Sequence, residues 1–183
     1  MPRKPKLFDA KAEAHSKSYK ASVDELYDEK SDRSTIIVGA AICDEALASV
    51  IRDRLRDCAE TEALFGPQGP LRDFSAKIDL AYSLGILGLR HRDDLHQIRK
   101  IRNECAHKAL FPDSRHKLTR LTFQLQKIKD LCNTLWVPTI NPSRTTPKAK
   151  FISAVVHITG RLWNEKYHKD DAPAFAESQY LEE

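Results

Sequence analysis

The run Ile36-Ile37-Val38-Gly39-Ala40-Ala41-Ile42-Cys43-Asp44-Glu45-Ala46-Leu47-Ala48-Ser49-Val50-Ile51 decides the fold. Its first half is apolar nearly all round. Its second half narrows to Leu47, Val50, Ile51 and Leu55, one face of a helix. A helix apolar on most sides must be covered by other elements, so this one is expected at the centre of the molecule. Gly39 and Ala40 would let a neighbouring helix approach closely. Ser31 and Asp32 are N-cap candidates for its start. The alternating charges from Arg52 to Asp57 read as a solvated face with local ion pairs.

The covering elements can be read on either side. Residues 1–30 are polar and alanine-rich, with Leu7, Phe8, Val23, Leu26 and Tyr27 as apolar contacts, and read as an N-terminal helical arm. Phe65 to Pro70 is a turn segment punctuated by glycine and proline. Phe74, Ile78, Ala81 and Tyr82 share one face of a helix over 71–84, which Gly85 stops. Leu95, Ile98, Ile101, Cys105 and Ala106 mark a helix over 91–109. Leu118, Leu121, Leu125, Ile128, Leu131 and Leu135 predict one continuous helix over 114–135. Residues 137–150, with three prolines, read as a linker. Phe151, Val155, Ile158 and Leu162 predict a C-terminal helix over 151–168, and 169–183 form an acidic tail. The fold class is all-α: one helical bundle of about six helices, with its core over 31–136. A homodimer is expected, across which the last helix could pack.

Composition narrows the function classes. With 41% hydrophobic and 31% charged residues, the 183-residue chain suits one globular domain. The net charge is +4. The acidic tail holds one lysine and five acids, so the remainder is basic enough to leave RNA contact open. Cys43, Cys58, Cys105 and Cys132 form no Cys-x-x-Cys pair and no zinc-type spacing. No metal and no cofactor are expected, and His91 and His96 are too isolated to suggest a site. No signal peptide or membrane span is visible, so a reduced, cytoplasmic protein is expected.

The densest chemistry lies in Ile98-Arg99-Lys100-Ile101-Arg102-Asn103-Glu104-Cys105-Ala106-His107. Arg99, Asn103 and His107 share one helical face, while Arg102 lies about 140° from His107. Histidine can move a proton at neutral pH, arginine can hold a phosphate, and asparagine can orient either. The same residues also suit a plain surface, with His107 capping the helix and Arg102 paired to a carboxylate. If the helices over 71–84 and 91–109 are antiparallel, Ser75, Lys77 and Asp79 lie near this face as binding or second-rank groups. Alternatively, Lys77 and Asp79 make a structural ion pair.

Two resemblances give this face a meaning. Arg102-Asn103-Glu104-Cys105-Ala106-His107 resembles the Arg-x4-6-His motif of the HEPN superfamily, whose active members are metal-independent RNases. That likeness implies Arg102, Asn103 and His107 as a catalytic set. Over 31–135 the chain is similar to the mannitol repressor (MltR) family, chiefly in Gly69-Pro70-Leu71-Arg72-Asp73-Phe74-Ser75-Ala76-Lys77-Ile78. Ser31-Asp32-Arg33, Val38-Gly39-Ala40-Ala41-Ile42 and Ile98-Arg99-Lys100-Ile101-Arg102-Asn103 extend it. This second likeness implies transcription regulation through a protein partner. It agrees with the lack of a helix-turn-helix pattern, which makes sequence-specific DNA reading an unexpected activity. The regulator is the first reading and the nuclease, or an RNA-binding derivative of one, the alternative.

Overall fold

The computed structural model describes residues 31–108, 122–136 and 146–167, with only the backbone at 107, 108, 122 and 167, together with Lys17, Lys20, Ala21, Asp24 and Leu26 of the N-terminal arm. Those five arm positions are helical, and Leu26 is fully buried in the core. Six further α-helices are described: α1 (Asp32–Arg52), α2 (Ala59–Phe65), α3 (Phe74–Ser83), α4 (Leu89–Lys108), α5 (Gln126–Asn133) and α6 (Pro147–Tyr167). Single 3-10 turns span Pro70–Arg72 and Thr122–Gln124, and there is no strand among the described residues.

Helix α1 is the centre of the bundle, packed against α6, α3 and α4. Ser31 caps it, its hydroxyl accepting the Ser34 N–H at 3.5 Å. Ile36, Ala40, Cys43, Leu47 and Ile51 are buried at i, i+4, i+7, i+11 and i+15. The first half is not buried all round, however: Ile37 and Ala41 face outward, because three neighbours cover only three sides. Asp32–Arg52 is long and apolar enough to cross a membrane by length and composition, with a mean hydropathy of 1.7 over its most apolar window. Half of that window is buried within the bundle, the pattern of a core helix.

Helix α6 runs parallel to α1. Lys148 reaches Asp32 at its start, and Lys166 reaches Ser49 and Asp53 near its end. Arg54 pairs with Glu165. Arg52, Asp53 and Arg54 are therefore partnered by other elements and not locally as expected: Arg52 meets Glu62 of α2 at 3.3 Å, and α6 supplies the partners of the other two. Between these polar ends Phe151, Val155, Ile158 and Leu162 are fully buried or nearly so. Helix α6 starts at Pro147, four residues earlier than the sequence spacing predicts, because Thr146 caps it through the Ala149 N–H and proline suits the first turn.

The predicted leucine-rich helix over 114–135 is not continuous. Residues 109–121 lie outside the described residues, and from Thr122 the chain forms a 3-10 turn, an extended Leu125 (φ −64°, ψ 126°) and the short α5. Tertiary contacts win over the ladder at Phe123. Its side chain is buried 5.8 Å from the Phe151 ring, and its N–H donates to the Asp32 carboxylate at 3.2 Å. An additional short helix, α2, lies where the sequence shows no apolar periodicity. The linker over 137–145 and the acidic tail over 169–183 lie outside the described residues.

Gly39 sets how closely α1 and α6 approach. A Cβ there would stand 2.8 Å from Phe151 Cε1 and 3.3 Å from Val155 Cγ2. Alanine would gain ~1 kcal/mol of helix preference but force the buried ring to move, a kind of overpacking that costs ~1–3 kcal/mol. Gly39→Ala is therefore expected to lower stability, and Gly39→Val to lower it further, read as the shift in a urea denaturation midpoint at unchanged slope.

Candidate functional site

Helix α4 carries two distinct groups of polar side chains. Leu95, Ile98, Ile101 and Cys105 face the core, and α3 packs along the flank. Gly85, at φ +70°, ends α3 in the left-handed conformation that glycine adopts without strain. The Ile86 N–H then reaches back to the Ala81 carbonyl at 2.9 Å. This tight turn returns α4 antiparallel to α3. Asp79 meets His96 at 3.2 Å and Arg92 at 3.9 Å, and the Arg92 guanidinium lies 5.1 Å from the Tyr82 ring centre.

In that register Ser75 is level with Arg99 near the far end of the helix pair. Arg99, Arg102 and Asn103 are all half-buried. Arg99 and Arg102 stand one turn apart, about 60° from each other around the axis. Their Nε atoms are buried and have no hydrogen-bond partner, and no carboxylate pairs with either side chain among the described residues. Gln97 Oε1 is unsatisfied in the same way. The neighbouring Glu104 is engaged by Lys127 at 2.5 Å. His107 occupies the last turn of α4, and its side chain lies outside the described residues.

Lys77 and Asp79 point to different partners, as two residues 200° apart on a helix must. They are not paired with each other. Lys77 is buried and donates to the Asp44 carboxylate of α1 at 2.7 Å, while Asp79 faces α4. The Lys77–Asp44 pair ties α3 to the central helix.

The second group lies on the side of α4 that faces α6, and sequence spacing passes over it. His91 and His157 meet with Nε2 atoms 3.4 Å apart, and the Trp136 ring packs edge-on against both. Asp94 is buried and accepts the Trp136 N–H at 3.1 Å. Burial, reinforced by His157, Arg161 and Arg90, lowers the His91 pKa to about 4. Burial and Arg161 lower that of His157. Burial raises Asp94 to about 6 against the opposing hydrogen bond from Trp136. Only proximity in space joins residues 66 positions apart, so no motif search could find this pair.

The cysteines are unpaired, and Cys43, Cys105 and Cys132 are buried. Burial pushes all three thiols up, Cys132 to about 12, so they are poor nucleophiles. No group of three or more His, Cys, Asp or Glu is placed to hold a metal among the described residues.

This fold has a solved counterpart. A chain of the MtlR–HPr complex from Escherichia coli superposes with a TM-score of 0.61 at 16% identity, covering 79% of this chain and 98% of that chain. At such identity the likeness establishes a shared helical fold. No family model matches the chain, and no curated protein matches it in sequence.

These polar contacts lead to two expected outcomes. Asp44→Ala leaves the buried Lys77 ammonium without its partner, which is expected to cost several kcal/mol, about 3 in comparable pairs. Lys77→Met keeps the apolar stem and is expected to cost much less; chemical denaturation of the two variants reads the difference. The His91 and Asp94 shifts act in opposite directions with pH. His91 is held neutral when folded and takes up a proton when unfolded, so stability is lost as pH falls from about 6.5 toward 4. Asp94 binds its proton more readily when folded, so stability is gained as pH falls from about 6 toward 3.8. The Asp94 gain therefore offsets the His91 loss between these limits, while the lowered His157 adds a further loss, so the wild type is expected to weaken only modestly on acidification in EDTA buffer. Asp94→Asn is expected to expose the His91 loss as a denaturation midpoint that falls with acidification over the same range.

Proposed function

We propose that this chain is a cytoplasmic regulatory protein of the mannitol repressor type, working as a homodimer through contact with a protein partner. The observation that carries this reading is the fold shared with MtlR over nearly all of that chain's length. That protein was solved in complex with HPr. The surface cations agree with a role other than reading DNA. Arg52, Arg54, Arg72, Arg92 and Lys127 are paired with carboxylates of the same chain, which leaves fewer of them for phosphate contacts. The outward apolar positions Ile37 and Ala41 on α1, with Leu84 and Leu89 at the α3–α4 turn, offer contact area for protein surfaces.

A second reading is favoured by one specific observation: Arg99 and Arg102 are half-buried cations without carboxylate partners among the described residues, on the helix that also carries His107. In a HEPN-type RNase, or an RNA binder derived from one, Arg102 would hold the scissile phosphate and His107 would transfer the proton. Asn103 and Arg99 would orient the substrate, with Ser75 of α3 level with Arg99, while Lys77 and Asp79 are engaged by Asp44 and by His96 and Arg92 away from it.

Calorimetric titration with purified HPr and incubation of mixed RNA in EDTA separate the two. The regulator reading expects saturable binding of HPr and intact RNA. Cleavage leaving 2′,3′-cyclic phosphate ends, lost in both Arg102→Ala and His107→Ala, together with no HPr binding, would replace it with the nuclease.

A further inference from the structure

We propose that Arg99 and Arg102 of α4, joined by Arg33 of α1, form a binding site for a dianionic phosphoryl group, either free phosphate or the phosphate of a small monoester. The two residues on α4 are one turn apart, so their guanidinium groups are neighbours on one side of the helix. Both are half-buried, and their Nε atoms are enclosed without a hydrogen-bond partner. A long side chain packed along its stem keeps its charged tip toward solvent. Two oriented cations thus stand together with no counter-charge among the described residues. Arg33 approaches from α1. It lies about three turns before Asp44 and on the same side of that helix, the side from which Asp44 reaches Lys77 of α3. Burial raises the Cys105 thiol, and the Arg33 charge opposes that rise, which puts Arg33 near the end of α4 where Arg102 stands one turn before Cys105. Arg33 is half-buried too and has no carboxylate partner among the described residues.

The surroundings leave that charge uncompensated and define the ligand. The neighbouring acids are already engaged: Asp73 by Arg72, Asp79 by His96 and Arg92, Glu104 by Lys127, and Asp32 by Lys148. Like charges one turn apart on a helix destabilise it, and a bound anion removes that cost. Arginine presents a planar fork that gives two donors to two oxygens of a phosphate. A carboxylate has one charge and two oxygens, enough for one such fork. A phosphate monoester above its second pKa of ~6 has nearly two charges and three terminal oxygens, enough for both forks of α4 with Arg33 as a third cation. Ser75, level with Arg99, adds a hydroxyl. A phosphodiester, with one charge and two free oxygens, matches less well, which separates this site from the scissile-phosphate role in the nuclease reading. The site uses neither His107 nor HPr, so its test is independent of both readings of the chain.

The test is calorimetric titration of the full chain at low ionic strength and about pH 7.5, above the second phosphate pKa of ~6, with sodium phosphate, glycerol phosphate and dimethyl phosphate. The expected result is one phosphate or monoester bound per chain, with dimethyl phosphate and chloride at matched ionic strength markedly weaker. Tighter binding of glycerol phosphate than of phosphate assigns the site to a small monoester; equal binding assigns it to the free ion. A lost hydrogen bond between charged groups weakens binding ~10-fold or more, so Arg99→Gln and Arg102→Gln are each expected to lose at least that much. Arg33→Gln is expected to weaken binding less, through charge alone, and Arg56→Gln, in the exposed turn after α1, to leave it unchanged. Phosphorus NMR of the wild-type complex supplies a readout that variant folding cannot confuse, since neighbouring cations lower the pKa of the bound phosphate below its free value. Absence of binding, equal binding of dimethyl phosphate, an unshifted phosphorus titration, or full affinity in both Arg99→Gln and Arg102→Gln would each overturn the site.

Discussion

The close approach of α1 and α6 at Gly39 is the constraint on which the rest of the arrangement depends. Only a residue without a side chain lets the Phe151 ring and Val155 lie directly on the central helix. Once α6 is seated there and parallel to α1, its other contacts are fixed. Lys148 falls beside Asp32, Lys166 beside Asp53, and His157 opposite His91. Phe123 packs against the same Phe151 ring, so the turn before α5 depends on the same seating. One missing Cβ therefore coordinates contacts from both ends of the chain.

Helix α4 shows how the bundle tolerates polar groups at depth. Toward α5 and α6 each buried polar group is answered: Asp94 by the Trp136 N–H, His91 by His157. Across α3 and α1, Lys77 is answered by Asp44. Toward the C-terminal half the answer is missing, since the Nε atoms of Arg99 and Arg102 are enclosed without an acceptor. An unmet buried donor carries a desolvation cost of ~1–3 kcal/mol. The unmatched arginine donors therefore lie, among the described residues, on the stretch that the sequence marks as chemically dense.

Much of this architecture is legible in the order of residues alone. The apolar run around Gly39, the Gly85 stop and the stripe of Leu95, Ile98, Ile101 and Cys105 come directly from helical period and turn chemistry, and the bundle bears them out. Two expectations fail for different reasons. The leucine ladder over 114–135 satisfies the helical period, but Phe123 and Asp32 make contacts across 91 residues that periodicity cannot register. Helix α2 escapes notice because its seven residues carry no apolar stripe; it is held by the Thr61 hydroxyl donating to the Arg56 carbonyl and by Arg52 over Phe65. The candidate sites divide in the same way. Arg99, Arg102 and Asn103 are visible as neighbours in sequence, while the His91–His157 pair exists only through tertiary packing.

The central position of α1 has a cost during synthesis. Its apolar window is complete at Arg52, but the helix that covers it most extensively begins at Pro147. At ~5–20 residues per second on the ribosome, the intervening stretch of roughly 95 residues takes about 5–20 s to appear. Throughout that interval the nascent chain presents a helix hydrophobic enough to resemble a membrane segment. Among the described helices, α3 and α4 emerge earlier and pack on it, and can shield it meanwhile. The Lys77–Asp44 contact thus has a temporal role as well as an energetic one, bringing the first cover onto α1 while its final partner has yet to be translated.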